Sequence, residues 1–268
     1  MVELLIFVVA LLVGGLGSML GIGGGVLLIP LLTGLFGVPI KTAIGASIVS
    51  VIATSSAAGA VYVGRGLSHT RLAMVLEIAT TLGALAGGIT AVLLSPNLLE
   101  GLFALVLVYV VYSMRRLPKD EPASAPTGVL DTSYVDSATG ATVTYGVRNL
   151  PAGMGASFLA GNVSGLLGIG GGIIKVPIMT LVMGMPLRAA IGTSNFMIGV
   201  TAATSAVIYY QRGFLDPNIA IPTALGVLVG AQIGTRVGGT VRINSLKLIF
   251  QGLLLIFAVQ MLYQAVAR

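Results

Sequence analysis

Two glycine runs, Gly21-Ile22-Gly23-Gly24-Gly25 and Gly168-Ile169-Gly170-Gly171-Gly172, interrupt long apolar stretches and are the residues best placed to do chemistry. Glycine runs leave backbone groups without helical partners. Lipid cannot satisfy those groups, so such backbone belongs where it is buried in protein or lines a watery cavity. Half-helices starting near Gly25 and Gly172 would turn their N-terminal N–H groups, and a partial positive charge, toward an anion. Gly23, Gly24, Gly25, Gly170, Gly171 and Gly172 are therefore candidate substrate-binding positions. Close approach of neighbouring helices is the plainer use of glycine. The recurrence of GIGGG, each time followed at five residues by a proline (Pro30 and Pro177), favours binding.

Several polar residues stand near these runs. Lys175 lies one turn past the second run, where the first has Leu28. A charge inside an apolar stretch is expensive and points to function, here attraction of an anion or balance of a coupling proton; a long side chain reaching a polar surface is the alternative. Ser47, Ser194 and Asn195, with Thr193, fall early in a later apolar segment of each half, and Asn162 and Ser164 precede the second run. Their hydroxyl and amide donors suit an oxyanion, and equally suit helix-to-helix bonding. Glu77 falls about two turns inside an apolar span, opposite Ala224 in the other half. It is a proton-coupling candidate, or else a structural partner of Arg71 or another helix-end cation. His69, the sole histidine, reads as an exposed loop residue beside Arg71.

These residues do not make an enzyme. The chain has no cysteine, a single histidine, no GxxxxGK[ST] loop and no paired intramembrane carboxylates, so neither ATP-driven pumping nor hydrolysis has residues to carry it. No cofactor or metal is expected. Hydrophobic residues make up 56% of the 268 and charged residues 8%, roughly a third of the share in a soluble domain. A lipid bilayer is the expected surrounding. The net charge of +6 is carried by single Lys and Arg at the ends of apolar runs, a membrane-topology pattern and not a nucleic-acid footprint.

Spans of about 20 apolar residues, enough for a core of about 30 Å, are 42–64, 72–94, 189–211, 217–235 and 248–267, with a shorter one at 98–114. The stretches 4–38 and 149–187 are too long for one span, and each holds a glycine run. The chain divides into a first transmembrane repeat, 1–116, a polar cytoplasmic linker, 117–147, with a short β-hairpin around Ala138-Thr139-Gly140, and a second repeat, 148–268. At an offset of 147 the halves match without a gap from Leu20/Leu167 to Gly87/Gly234, an internal duplication.

Charge placement decides the orientation of the halves. If each glycine-broken stretch crosses once, the basic residues divide 8 to 5 between the two sides; if it enters and turns back, they divide 10 to 3, with Lys41, Arg212 and Arg268 alone opposite the linker. Lys and Arg concentrate in short cytoplasmic loops. The second count predicts inverted repeats, a cytoplasmic linker and both termini outside. The expected fold is an all-α integral membrane protein of two inverted repeats, each a Gly-broken helical hairpin plus three transmembrane helices.

GIGGGVLLIP at 21–30, GIGGGIIKVP at 168–177, and AIGAS and AIGTS at 43–47 and 190–194 resemble the duplicated motifs of the TauE/SafE sulfite exporter family, also called the toluenesulfonate uptake permease family. The resemblance covers nearly the whole chain outside the linker. It implies a multi-pass protein of a bacterial or archaeal inner membrane, a secondary transporter that moves sulfite or small organosulfonate anions, often as export. Alternating access at a midplane site between the two GIGGG breaks is the expected mechanism, and an anion channel with a fixed Gly-lined pore the alternative. A homodimer is the candidate assembly.

Overall fold

The computed structural model describes residues 2–116, 130–135, 140–237 and 243–267, without side chains for Arg116 and 243–247. Residues 117–129 of the linker, the Ala138-Thr139 turn and the basic side chains of Arg116, Lys119, Arg242, Lys247 and Arg268 lie outside the described residues. Helices α1 (Val2–Met19), α2 (Gly25–Leu35), α3 (Ile40–Gly64), α4 (Thr70–Leu93) and α5 (Pro96–Arg116) build the first half. The second half has α6 (Leu150–Leu167), α7 (Gly172–Pro177), α8 (Leu187–Gln211), α9 (Pro217–Val237) and α10 (Ile243–Ala267). Strands β1 (Thr132–Val135) and β2 (Thr142–Tyr145) lie between them and pair antiparallel. Seven helices, α1, α3, α4, α5, α8, α9 and α10, are long and apolar enough to cross a membrane among the described residues.

The duplication extends to the helix boundaries. Helices α3, α4 and α5 start at 40, 70 and 96, and α8, α9 and α10 start at 187, 217 and 243, each 147 residues later. One element differs: α2 is regular through Leu35, whereas α7 passes at Pro177 into a π-helical turn, Ile178–Val182. Pro30 holds the matching place in the regular α2, so the missing proline N–H does not by itself produce the π-turn.

Small residues let the helices meet backbone to backbone. Gly83 and Gly87 of α4 face the backbone at Phe158 and Asn162 of α6, and Gly161 and Gly165 of α6 face that at Thr80 and Ala84 of α4. The second half repeats this with Gly226, Gly230 and Gly234 of α9 against Phe7, Leu11 and Gly15 of α1. Where lipid tails are as apolar as the side chains, this close van der Waals fit drives helix association. Outward faces carry exposed large apolar residues such as Leu12, Ile78, Leu105, Ile221 and Val259, which suit lipid.

Contacts give the relative course of the helices. Ser55 accepts from the Gly199 N–H, and Gly59, one turn on, lies against Asn195, so α3 and α8 run antiparallel. Asn97 and Gly101 at the start of α5 meet Ala265 near the end of α10, again antiparallel. Helices α1 and α9 run parallel, Gly14 lying against Val227 and Ser18 against Ala231.

Opposite ends of the bundle differ in chemistry. At one end Arg65 donates to the Thr235 carbonyl, a cation at a helix C-terminus, and Ser68 and His69 bond to Gly192 and Thr193. The strand pair docks at this end through His69. The His69 Nδ1 accepts from the Leu72 N–H at 3.3 Å, leaving Nε2–H to donate to the Leu130 carbonyl at 2.9 Å, and Tyr145 meets the ring edge-on. His69 is buried, at 5% exposure, so its reading as an exposed loop residue is overturned: the linker covers it. Burial also raises the pKa of the Tyr145 phenol, which stays neutral. At the other end Lys41 donates to the Val92 carbonyl and lies 5.3 Å from the Phe214 ring centroid.

The glycine seams set an expectation for stability. Gly87→Val forces a side chain into the Asn162 backbone and should cost roughly 1–3 kcal/mol, an overpacking penalty. Gly155→Ala, on an open face of the same helix pair, should stay within about 0.5 kcal/mol of wild type. Thermal unfolding in detergent measures both.

Candidate functional site

Each GIGGG run ends one helix and begins another. Gly23 and Gly24 have φ of 82° and 72°, and Gly170 and Gly171 have 75° and 70°. Only glycine adopts this left-handed region without strain, which is why the turn between α1 and α2 needs the run and why its twin recurs. The chain thereby doubles back. The Ser18 carbonyl accepts from Tyr62 near the C-terminal end of α3, whereas Gly25 lies against Ser47 in its first third. Helix α2, at 11 residues about 16 Å long, is too short to cross the core itself.

The two breaks meet. Ser47 Oγ donates to the Gly168 carbonyl at 2.8 Å, and Ser194 Oγ donates to the Gly21 carbonyl at 2.9 Å. Each repeat thus satisfies a carbonyl that the other repeat's break has freed, by the same residue in the same position. Thr54, at the middle of α3, donates to the Gly23 carbonyl at 3.3 Å, which sets the first break level with the middle of that helix. Gly25 and Gly172 each lie against the opposite break, where a Cβ on Gly25 would stand 2.9 Å from the Gly168 carbonyl. Val51 and Ile198 fill the space before the runs, 2.7 Å from a Cβ on Gly170 and 2.6 Å from one on Gly23.

Nine sequence-chosen positions therefore converge: Gly23, Gly24, Gly25, Gly170, Gly171, Gly172, Ser47, Ser194 and Asn195. The polar donors among them are spent on backbone. Asn195 Nδ2 donates to Ser18 and Ile191 carbonyls at 3.3 and 3.1 Å, while its Oδ1 is buried without a hydrogen-bond partner.

Lys175 and Glu77 find each other. Lys175 is buried at 2% exposure, so its ammonium does not reach a polar surface. It donates to Thr201 Oγ1 at 2.8 Å and lies 3.5 Å from Glu77 Oε2. Thr201 donates to Glu77 Oε1 at 2.6 Å, and Thr80 donates to Oε2 at 3.2 Å. The partner of Glu77 is thus Lys175 and not Arg71. The backbone N–H of Lys175 bonds the Gly171 carbonyl, tying this cluster to the second break. Thr201 and Thr80 were not singled out from the sequence. A signal existed, because Thr201 matches Thr54 across the duplication.

The cluster joins the two repeats, Glu77 coming from the first and Lys175 and Thr201 from the second, and it has no twin: Ala224, Leu28 and Thr54 occupy the duplicated places of Glu77, Lys175 and Thr201. Glu77 also borders a groove of about 530 Å³ between α4 and α8, lined by Met74, Ile78, Thr81, Phe196 and Val200 among others. Among the described residues, no group of three or more His, Cys, Asp and Glu is placed to hold a metal ion.

The model of the sulfite exporter TauE/SafE family matches residues 6–261. The chain is 25% identical over 270 residues to a probable membrane transporter protein, YunE, of Bacillus subtilis (strain 168), covering 98% of each chain. It is 30% identical over 226 residues to a probable membrane transporter protein of Xylella fastidiosa (strain 9a5c), covering 84% of this chain and 80% of the relative. A shorter match, 37% over 79 residues, covers 29% of this chain and 18% of the sulfite exporter TauE/SafE family protein 5 of Arabidopsis thaliana. No solved structure matches. With a family match over nearly its whole length and seven apolar helices of spanning length, the chain belongs to the sulfite exporter TauE/SafE family and is a multi-pass membrane protein.

Proposed function

We propose that the protein is a secondary transporter that exports sulfite or a small organosulfonate by alternating access, with the anion held at mid-membrane between the two GIGGG breaks. The observation that carries this reading is the reciprocal seal, Ser47 on Gly168 and Ser194 on Gly21, joining two broken helices at half the depth of α3. Freed backbone at that depth must be buried in protein or line a cavity, and transporters built of inverted repeats place their sites at such helix breaks. Helix-start amides and the nearby Lys175 ammonium supply the positive character an oxyanion needs.

The repeats are inverted in this reading. Equivalent helices that run antiparallel, α3 with α8 and α5 with α10, are related by an axis across the helices, which lies in the membrane plane if those helices span it. Arg65, Arg71, Arg115, Arg148, Arg188 and Arg236 then share the linker side, and the excess of positive charge marks that side as cytoplasmic. Val51 and Ile198 close the space before the breaks, and the serine hydroxyls are occupied by carbonyls. That filling favours a site opened by movement of one repeat against the other over a fixed pore.

Flux and topology test the reading separately. In proteoliposomes, Lys175→Met should lower sulfite flux roughly ten- to hundredfold, the loss of one charged hydrogen bond of about 1.5–3 kcal/mol. Unchanged flux would remove Lys175 from the site. Sulfoacetate, taurine and thiosulfate tried in the same assay give the substrate class. Because the chain has no cysteine, single Thr144→Cys and Arg212→Cys variants report sidedness cleanly. An impermeant maleimide should label the first only from the cytoplasm and the second only from outside; labelling of both from one side would sink the inverted arrangement.

A further inference from the structure

We propose that Glu77 is a built-in competitor for the transported anion: Lys175 holds either the Glu77 carboxylate or a substrate anion, so each anion bound is accompanied by one proton taken up on Glu77. This rests on the reading of the protein as an anion transporter and supplies its coupling.

The geometry makes the two states exclusive. Among the described residues Lys175, its side chain 1% exposed, has one carboxylate as its ion-pair partner. Bringing a second negative charge to Lys175 while Glu77 stays ionised would leave the buried cluster with an excess charge, which a low-dielectric site resists. A proton from water onto a Glu77 oxygen removes that obstacle. The cluster is neutral beforehand, as ammonium and carboxylate, and neutral afterwards, as ammonium, anion and carboxylic acid. The proton added balances the charge of a monoanion, and nothing else need be gained or lost.

Access separates the partners. Lys175 is sealed, whereas the Glu77 side chain keeps 12% exposure on the groove beside α8. Glu77 stands seven residues from the start of α4, about 10 Å from the end of the helix where the linker docks. The carboxylate is therefore the member able to exchange a proton. Thr201 bridges the two, accepting from Lys175 while donating to Glu77. Once Glu77 is neutral, that hydroxyl is free to turn its donor to an incoming oxyanion.

Other charges do not share this role. Helix α6, packed against α4, carries no ionisable residue, and α8 carries only Arg188, Tyr209 and Tyr210, near its ends. On α4 itself the other ionisable group is Arg71, with His69 just before the helix, both more than a turn away and toward the bundle end. Because Leu28 and Ala224 stand at the duplicated places of Lys175 and Glu77, the pair has no second copy, and the cluster provides one proton site per chain and a ratio of one.

Calorimetric titration of the purified full chain with sulfite, in buffers of different ionisation enthalpy, counts the protons taken up on binding. Comparing wild type with Glu77→Gln at the same pH cancels the ionisation of sulfite itself. The expected result is about one more proton per bound anion in wild type than in E77Q. Wild-type affinity should also fall relative to E77Q as pH rises, by up to about tenfold per pH unit, the slope of one linked proton. Equal proton counts, with sulfite bound by both proteins, would overturn the competitor role and leave the transporter reading standing. Absence of sulfite binding and of sulfite flux in wild type would overturn both. Should E77Q fail to fold, the wild-type count, corrected for the ionisation of sulfite, decides between the same outcomes: near one supports the role, and near zero overturns it.

Discussion

A carbonyl that no helix can satisfy must find a donor when lipid surrounds the protein, and two such carbonyls organise this molecule. Gly21 and Gly168 release theirs at the breaks, and Ser194 and Ser47 receive them from across the duplication. The seal joins the halves at their most expensive point. It also requires that α3 and α8, which bear the serines, lie side by side, that each broken helix double back beside its neighbour, and that glycine stand wherever backbone meets backbone. The glycine seams of α4 with α6 and α1 with α9 then follow as the means of holding four further helices close enough to keep the breaks dry.

Duplication explains the scaffold, and its exceptions locate the asymmetry. Helix starts, left-handed glycines, serines, threonines and the helix-end cations Lys41/Arg188 and Arg65/Arg212 recur at an offset of 147, yet the buried ion pair does not. Lys175 and Glu77 stand where the other repeat has Leu28 and Ala224, and the π-turn after Pro177 stands where α2 is regular. A symmetric device would bind an ion alike from either side; an ion pair between the repeats with no duplicated twin lets the two proposed access states differ in electrostatic energy. The linker adds a second asymmetry, since the strand pair covers His69 at one end of the bundle.

Much of the fold was legible because membrane physics writes it in composition and spacing. Apolar runs of about 20 residues located α3, α4, α8, α9 and α10 to within a few residues, and glycine runs located both breaks. The self-match at 147 located the duplicated helix starts. His69 was misread because loop position says nothing of what a linker folds back to cover.

The sequence by itself determined that this chain lives in lipid, is duplicated, and breaks two helices with glycine, since each of these is a matter of local composition or of one segment's likeness to another. Only the tertiary structure decided what the polar residues do. Ser47 looks the same on paper whether it faces a ligand or a carbonyl 121 positions away, and Glu77 gives no sign that its partner is Lys175, 98 residues on. Hydrogen bonds and ion pairs extend over about 3 Å, and which groups come that close depends on how whole helices pack, a property held by no single stretch of chain.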